Sequence, residues 1–215
     1  MKKAILFLFL FFVLNSFAFA ETQPTQPKDV INYYIDKAVK IINYAQTIKD
    51  KKKKASFLKK KLREIGEEVF LFDVMARMTL GYKWRSFTKE QREEFKELFI
   101  KFIEKNYFNK LLDYLEKKKS IPRENIIVTE QKMLTNIKAE VSTIIKYEDK
   151  EIPVKYRLVK LKNKWKVYDV YVEGIGLVQN YRKQFRSLLR NRTPEEFLKV
   201  FKSKVEEENR NEKKN

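Results

Sequence analysis

Between Asn125 and Gly174 the chain places one alternating segment after another, with no helical stretch to separate them. Ile137, Ala139, Val141, Thr143, Ile145 and Tyr147 alternate with Lys138, Glu140, Ser142 and Lys146. After a turn at 148–151, Ile152, Val154, Tyr156 and Leu158 resume the same period. Residues 162–164 turn into a further strand from Trp165, and 125–132 supply another. Strands joined this closely must pair antiparallel, because a parallel partner needs a crossover of a dozen or more residues. The expectation is a four-stranded meander, buried on one face and wet on the other.

The flanks read as helices. Val30, Tyr33, Tyr34, Ala38, Ile41, Ile42 and Ala45 recur at spacings of three and four. The run Lys51–Lys54 interrupts them as a solvated corner, and a second helix is expected over 56–71. A short third segment ends at Gly81, whose conformational freedom suits a C-terminal cap. Thr88 with Gln91 three residues on forms a capping box, opening a long helix to about Lys118. Two more helices are expected after the strands, at 177–190 and 194–208, the latter capped by Thr193 and started by Pro194. Helices, then an antiparallel sheet, then helices make an α+β fold. One domain is expected over 21–210, with a frayed tail at 211–215. Residues 70–115 hold eleven aromatics, enough to line something large.

The N-terminus reads as an export signal. Lys2 and Lys3 precede an uncharged run, Ala4 to Phe17, and Ala18-Phe19-Ala20 offers the small residues of a cleavage site. Residues 1–20 are thus expected to be a signal peptide, with an uncleaved anchor as the alternative. The chain has no Cys and no His. Disulfides, thiolate and imidazole chemistry, and zinc sites built on nitrogen or sulfur are therefore excluded. The net charge of +19 favours a polyanion: nucleic acid, anionic head groups or an acidic protein face. A Lys- and Glu-rich heat-adapted surface would give the same excess. Basic residues mix with aromatics in 82–87 and 180–185, but export and the absence of any nucleic-acid fold signature argue against nucleic acid.

Gly174 and Gly176 resemble a phosphate-binding turn. A dinucleotide fingerprint needs a third glycine where Gln179 stands, and a parallel strand afterwards. Neither is present, and the glycines read as a sharp turn from the last strand into a helix. Asp73 and Asp169 lie inside apolar stretches. Such a carboxylate, paired with Tyr, could move a proton in a small-molecule isomerase, or could be structural, bonded to a helix start or an Arg. A one-sided sheet under an aromatic-rich helix also suits an apolar pocket.

Two blocks carry a family resemblance. Residues 72–107, with Phe72, Asp73, Leu80, Gly81, Trp84, Arg85, Gln91, Arg92, Phe95 and Tyr107, resemble the MlaC family. So do 165–185, with Trp165, Val167, Asp169, Glu173, Gly174, Tyr181, Arg182 and Phe185. At Gly176 the family more often carries Ser, a change expected to loosen the turn. The resemblance implies a cone like that of nuclear transport factor, a curved four-stranded sheet closed by N- and C-terminal helices around an apolar cavity. It implies a soluble periplasmic phospholipid carrier with no cofactor. Its partners would be an inner-membrane ABC-type lipid transporter with its substrate-binding ring and an outer-membrane lipoprotein complex. With the alternation, it suggests a lipid-binding wall of Phe72, Met75, Met78, Leu80, Phe99 and Phe102 from the helices. Val141, Ile145, Tyr156, Leu158, Val170 and Val172 would come from the sheet, and Tyr181 and Phe185 from the following helix. Which face of 165–173 points inward is open, since Trp165, Val167 and Tyr171 form an equally apolar set. Arg182 or Arg85 could hold a phosphate at the rim, or pair with a carboxylate.

Overall fold

The computed structural model describes residues 24–118 and 120–211. The expected signal peptide and the end of the tail lie outside them. Among the described residues six α-helices flank one sheet: α1 (Pro27–Ala45), α2 (Lys51–Val69), α3 (Phe72–Leu80), α4 (Lys89–Lys118), α5 (Leu177–Leu188) and α6 (Pro194–Asn211). The strands are β1 (Ile126–Thr135), β2 (Lys138–Tyr147), β3 (Lys150–Leu161), β4 (Lys164–Val172) and β5 (Ile175–Gly176). They pair antiparallel in sequence order, so the sheet is an open meander of five strands rather than four.

The extra strand arises from the turn before it. Glu173 and Gly174 both have positive φ, 50° and 80°, and Val172 pairs with Ile175 across them. This is a two-residue hairpin of the kind whose twist matches its strands. Gly176 then starts no loosened turn, because its φ is an ordinary −71°. A Cβ there would lie 2.8 Å from Cε1 of Tyr171, so the missing side chain makes room for that ring.

The helix signals in the sequence act as chemistry requires. Thr88 and Gln91 exchange reciprocal bonds at 3.0 and 3.2 Å. Thr193 closes a second box with Glu196, at 2.8 and 3.3 Å. Gly81 ends α3 with φ 58°. The lysine run behaves differently from the expected corner. Asp50 accepts the backbone N–H of Lys53 at 2.8 Å and caps α2, so Lys51–Lys54 form its first turn. No acidic residue accompanies them there. Cations at a helix N-terminus oppose its dipole, at a cost of about 0.3–1 kcal/mol each in low salt.

Three apolar clusters hold the elements together. The first is helical and largely aromatic, built by α3, α4, α5 and α6 around Phe95, Phe99, Phe185, Phe197 and Phe201. The second seats Val30, Ile31 and Tyr34 of α1 and Ile65 and Val69 of α2 on Ala139, Val141, Leu158, Trp165 and Val167 of the sheet. Long-range bonds fix α1 there: the Trp165 indole donates to the Thr25 carbonyl at 3.0 Å, and Lys28 N–H to the Gln131 amide oxygen at 2.7 Å. The third joins Ile42, Ala45, Leu58 and Leu115 at the far end of α4. At 30 residues α4 is about 45 Å long, which lets one helix serve two cores.

β4 resolves the open question of its inward face by using both. Leu158 pairs with Val167 and Arg157 with Asp169, leaving Tyr168 as a bulge. A bulge adds one residue and reverses the alternation beyond it. Trp165 and Val167 therefore share the inner face with Val170 and Val172, while Asp169 and Tyr171 pair with the outward Arg157 and Lys155.

Candidate functional site

The three clusters touch through shared side chains: Phe70 packs against the helical and sheet cores, and Ile41 and Leu62 against the sheet core and the far one. Beside this junction, α2 and α4 flank a half-open apolar cavity of about 230 Å³. Leu62 and Gly66 of α2 form one side, and Ile100, Ile103, Tyr107, Phe108 and Leu111 of α4 the other. Phe70 and Phe72 close it from the α2–α3 link. Each cluster contributes an edge: Phe72 and Ile103 border the helical core, Phe70 the sheet core, and Phe108 and Leu111 the far one. A glycine inside a helix costs about 1 kcal/mol relative to alanine. Gly66 has unstrained space toward this cavity: a Cβ at this position would come no nearer than 3.5 Å to its first neighbour, Phe72 Cζ. The absence of a side chain there keeps the cavity open.

Charge gathers at the rim, on Lys59, Arg63 and Glu104. Arg63 lies 3.0 Å from Glu67 on its own helix, and 3.3 and 3.7 Å from Glu104 and Glu97 of α4. These carboxylates, Glu67 foremost, push its pKa up against the effect of burial. Glu104 Oε1 is buried without a hydrogen-bond partner despite its nearness to Arg63. The bridge across the cavity is thus electrostatic contact with a carboxylate oxygen left short of a donor, a costly arrangement in a packed interior.

Of the residues expected to wall a cavity, Phe72 lines this one. Met75, Leu80, Phe99, Phe102, Tyr181 and Phe185 are buried together in the helical cluster, with Met78 packed against it. Val141 and Leu158 are fully buried under α1 and α2, and Tyr156 and Val170 pack beside them. Ile145 is half-buried on β2, and Val172 is 37% exposed. Gly66, Ile100, Tyr107 and Phe108 join the wall without any expectation from the sequence. The one signal for them is an isolated glycine within an otherwise helical pattern.

The two acidic candidates divide. Asp73 is exposed and pairs with Lys96 at 3.3 Å. Asp169 is buried, and its Oδ1 accepts the backbone N–H groups of Val170 at 2.9 Å and Val178 at 3.1 Å. Val178 stands in the first turn of α5, whose own N-cap Gly176 has no side chain to offer. Asp169 therefore caps α5 from the neighbouring strand. Burial raises its pKa, opposed by those two N–H groups, the Tyr171 hydroxyl and the Arg157 charge. A carboxyl raised in the folded state favours folding most below its unfolded pKa, and that contribution is lost as pH rises through the folded value. Asp169→Ala should cost about 1–3 kcal/mol in urea unfolding, because both N–H groups lose their acceptor. Asp169→Asn keeps an acceptor, so it should cost less and flatten the stability profile across the carboxylate range.

Arg182 donates from Nε to the Met78 carbonyl at 2.7 Å, closing the C-terminus of α3 rather than pairing with a carboxylate. Arg92 stacks 5.3 Å from the Trp84 ring and donates to its carbonyl at 3.1 Å. On the outer sheet face a dish of about 480 Å³ is lined by Glu140, Ser142, Lys155, Arg157 and Tyr171. Its one carboxylate, Glu140, lies 2.9 Å from Lys155 and 3.3 Å from Arg157, so both cations have a partner. Among the described residues no group of His, Cys, Asp and Glu could hold a metal ion, and no helix is long and apolar enough to cross a membrane.

A family model described as "MlaC protein" matches residues 34–203. No curated protein matches the chain. A solved structure similar to this one is the phospholipid-binding protein from Ralstonia solanacearum in complex with a phospholipid. The two share 14% identity with a TM-score of 0.67, over 84% of this chain and 97% of that one.

Proposed function

The chain belongs to the MlaC family, and from that membership we propose that it is an exported phospholipid carrier, holding acyl chain in the cavity between α2 and α4. The observation that carries this reading is the apolar gap beside the junction of three close-packed clusters, kept open by a helical glycine. The likeness in fold to a protein solved with a phospholipid supports it. Moving a lipid through water exposes its chains at about 0.8 kcal/mol per methylene, or ~12 kcal/mol for fifteen. An apolar enclosure removes most of that barrier, and exchange with a membrane becomes nearly balanced.

The volume sets a condition. At about 230 Å³ the cavity lies below the ~300–1,000 Å³ of ordinary ligand sites, so it takes a section of chain rather than a whole lipid. Its mouth is already open to solvent, so a chain can enter along the α2–α4 seam. The Arg63 bridge to Glu97 and Glu104 holds the two helices together at its rim. In this reading the protein works in the periplasm, passing lipid between complexes of the two membranes. In this reading it binds rather than catalyses, and Asp169 is engaged in capping α5.

Native mass spectrometry of the purified protein should show added mass in the phospholipid range, and solvent extraction should release it. Apo protein that also takes up no lipid from vesicles would end the proposal.

A further inference from the structure

Residues 49–61 hold eight lysines against one aspartate, a net +7 out of +19 for the whole chain. The fold concentrates this charge at one end. Lys49 precedes α2, Lys51–Lys54 are its first turn, and Lys59, Lys60 and Lys61 follow within two turns. The arrangement opposes the helix dipole, so stability does not account for it. Breaking a local rule without local gain is characteristic of surfaces kept for a partner.

Two further observations indicate which partner. Of these eight lysines, the ion pairs among the described residues engage two: Lys51 with Glu116 at 3.3 Å between two well-exposed side chains, and Lys61 with Glu64 at 2.7 Å. The charge is therefore largely uncompensated. Within the cluster stands an aromatic pair, Tyr44 at the end of α1 and Phe57 of α2, with ring centroids 5.4 Å apart and Tyr44 61% exposed. Lys53, Lys54, Lys60 and Lys61 lie three or four positions from Phe57, on its face of the helix. Basic side chains around exposed aromatics suit the boundary of an anionic bilayer, where rings sit at head-group depth and lysines meet phosphates. A recess of about 740 Å³ opens beside Lys51, Lys52 and Lys54, floored by Leu58, Leu112 and Leu115. From there the α2–α4 seam leads to the cavity. Lys51 to Gly66 spans about 22 Å at the helical rise.

We propose that this lysine–aromatic end docks on anionic lipid head groups, presenting the α2–α4 seam to the bilayer surface. Docking is separate from carriage, since it needs the surface charge and not the cavity.

Flotation of the protein with vesicles tests it, using phosphatidylcholine alone and phosphatidylcholine with about 30% phosphatidylglycerol. Binding is expected to the anionic vesicles and to fall steeply with salt. The combined variant Lys51→Gln, Lys52→Gln, Lys53→Gln, Lys54→Gln removes like charges from a helix start and keeps good helix formers, so it should fold at least as stably. Its partitioning should drop by about 10²–10³-fold, at roughly fivefold per lysine. A control of equal charge loss, Lys183→Gln, Arg186→Gln, Arg190→Gln, Lys199→Gln on α5, α6 and the turn between them, should bind nearly as the wild type. Equal losses in the two variants would overturn the proposal by making the attraction indiscriminate. Unchanged binding of the first variant, or no anionic preference, would also overturn it and leave this end to an acidic protein. Gly66→Leu should still dock, which separates a failure here from a failure of carriage.

Discussion

Filling the cavity from α2 should abolish lipid carriage while making the protein more stable. Gly66→Leu adds a side chain whose Cβ meets Phe72 at ordinary van der Waals distance and whose remaining carbons enter the space shared with Ile103 and Phe108. Replacing glycine by leucine within a helix is worth about 0.5–1 kcal/mol in propensity, and the new methyl groups are buried against apolar neighbours. The expected result is a higher urea midpoint with at least a tenfold fall in phospholipid recovered per protein. Gly66→Ala should gain stability and keep its lipid. Full loading of the leucine variant would place the acyl chain elsewhere.

The opposite signature is expected at Phe185. Its ring lies 5.5 Å from Phe95, 5.9 Å from Tyr181, 5.8 Å from Phe197 and 5.0 Å from Phe201, mostly at edge-to-face angles, and it is 2% exposed. Phe185→Ala should cost about 3–5 kcal/mol, a large part of the ~5–15 kcal/mol that holds a domain folded. Urea unfolding below room temperature should show this loss, while the lipid carried per folded molecule stays near the wild-type value. If lipid disappeared with little change in stability, Phe185 would belong to a ligand wall instead. The two variants thus separate side chains that fill the interior from those that border a gap.

The element order is legible in the sequence because each boundary carries its own chemistry. Thr88 with Gln91, Thr193 before Pro194, and the change of period after Pro122 all mark real ends. The inward face of β4 is not legible. Alternation predicts a face only while pairing is regular, and nothing in "KVYDV" announces that Tyr168 drops out of register. The fifth strand is hidden because two residues are too few to show a period. The lysine run looks like a corner because its charge masks the cap supplied by Asp50. As for the candidate site, the aromatic wealth of 70–115 points to α4. Periodicity alone does not tell Phe99, enclosed by other rings, from Phe108, which borders empty space. That distinction depends on how the three clusters assemble beside the cavity, a property of their packing rather than of any one segment.

The bond from the Trp165 indole to the Thr25 carbonyl spans 140 residues, whereas the hairpins of the sheet join neighbours. Hairpins close in microseconds, but a loop of that length must wait until both ends exist and find each other. α1 therefore settles onto the sheet only after β4 has formed. Until β4 is in place, Val30, Ile31 and Tyr34 can rest on α2 but lack Trp165 and Val167 of the sheet. Any delay in forming the later hairpins prolongs the interval in which the unfolded chain can aggregate through its N-terminal apolar residues.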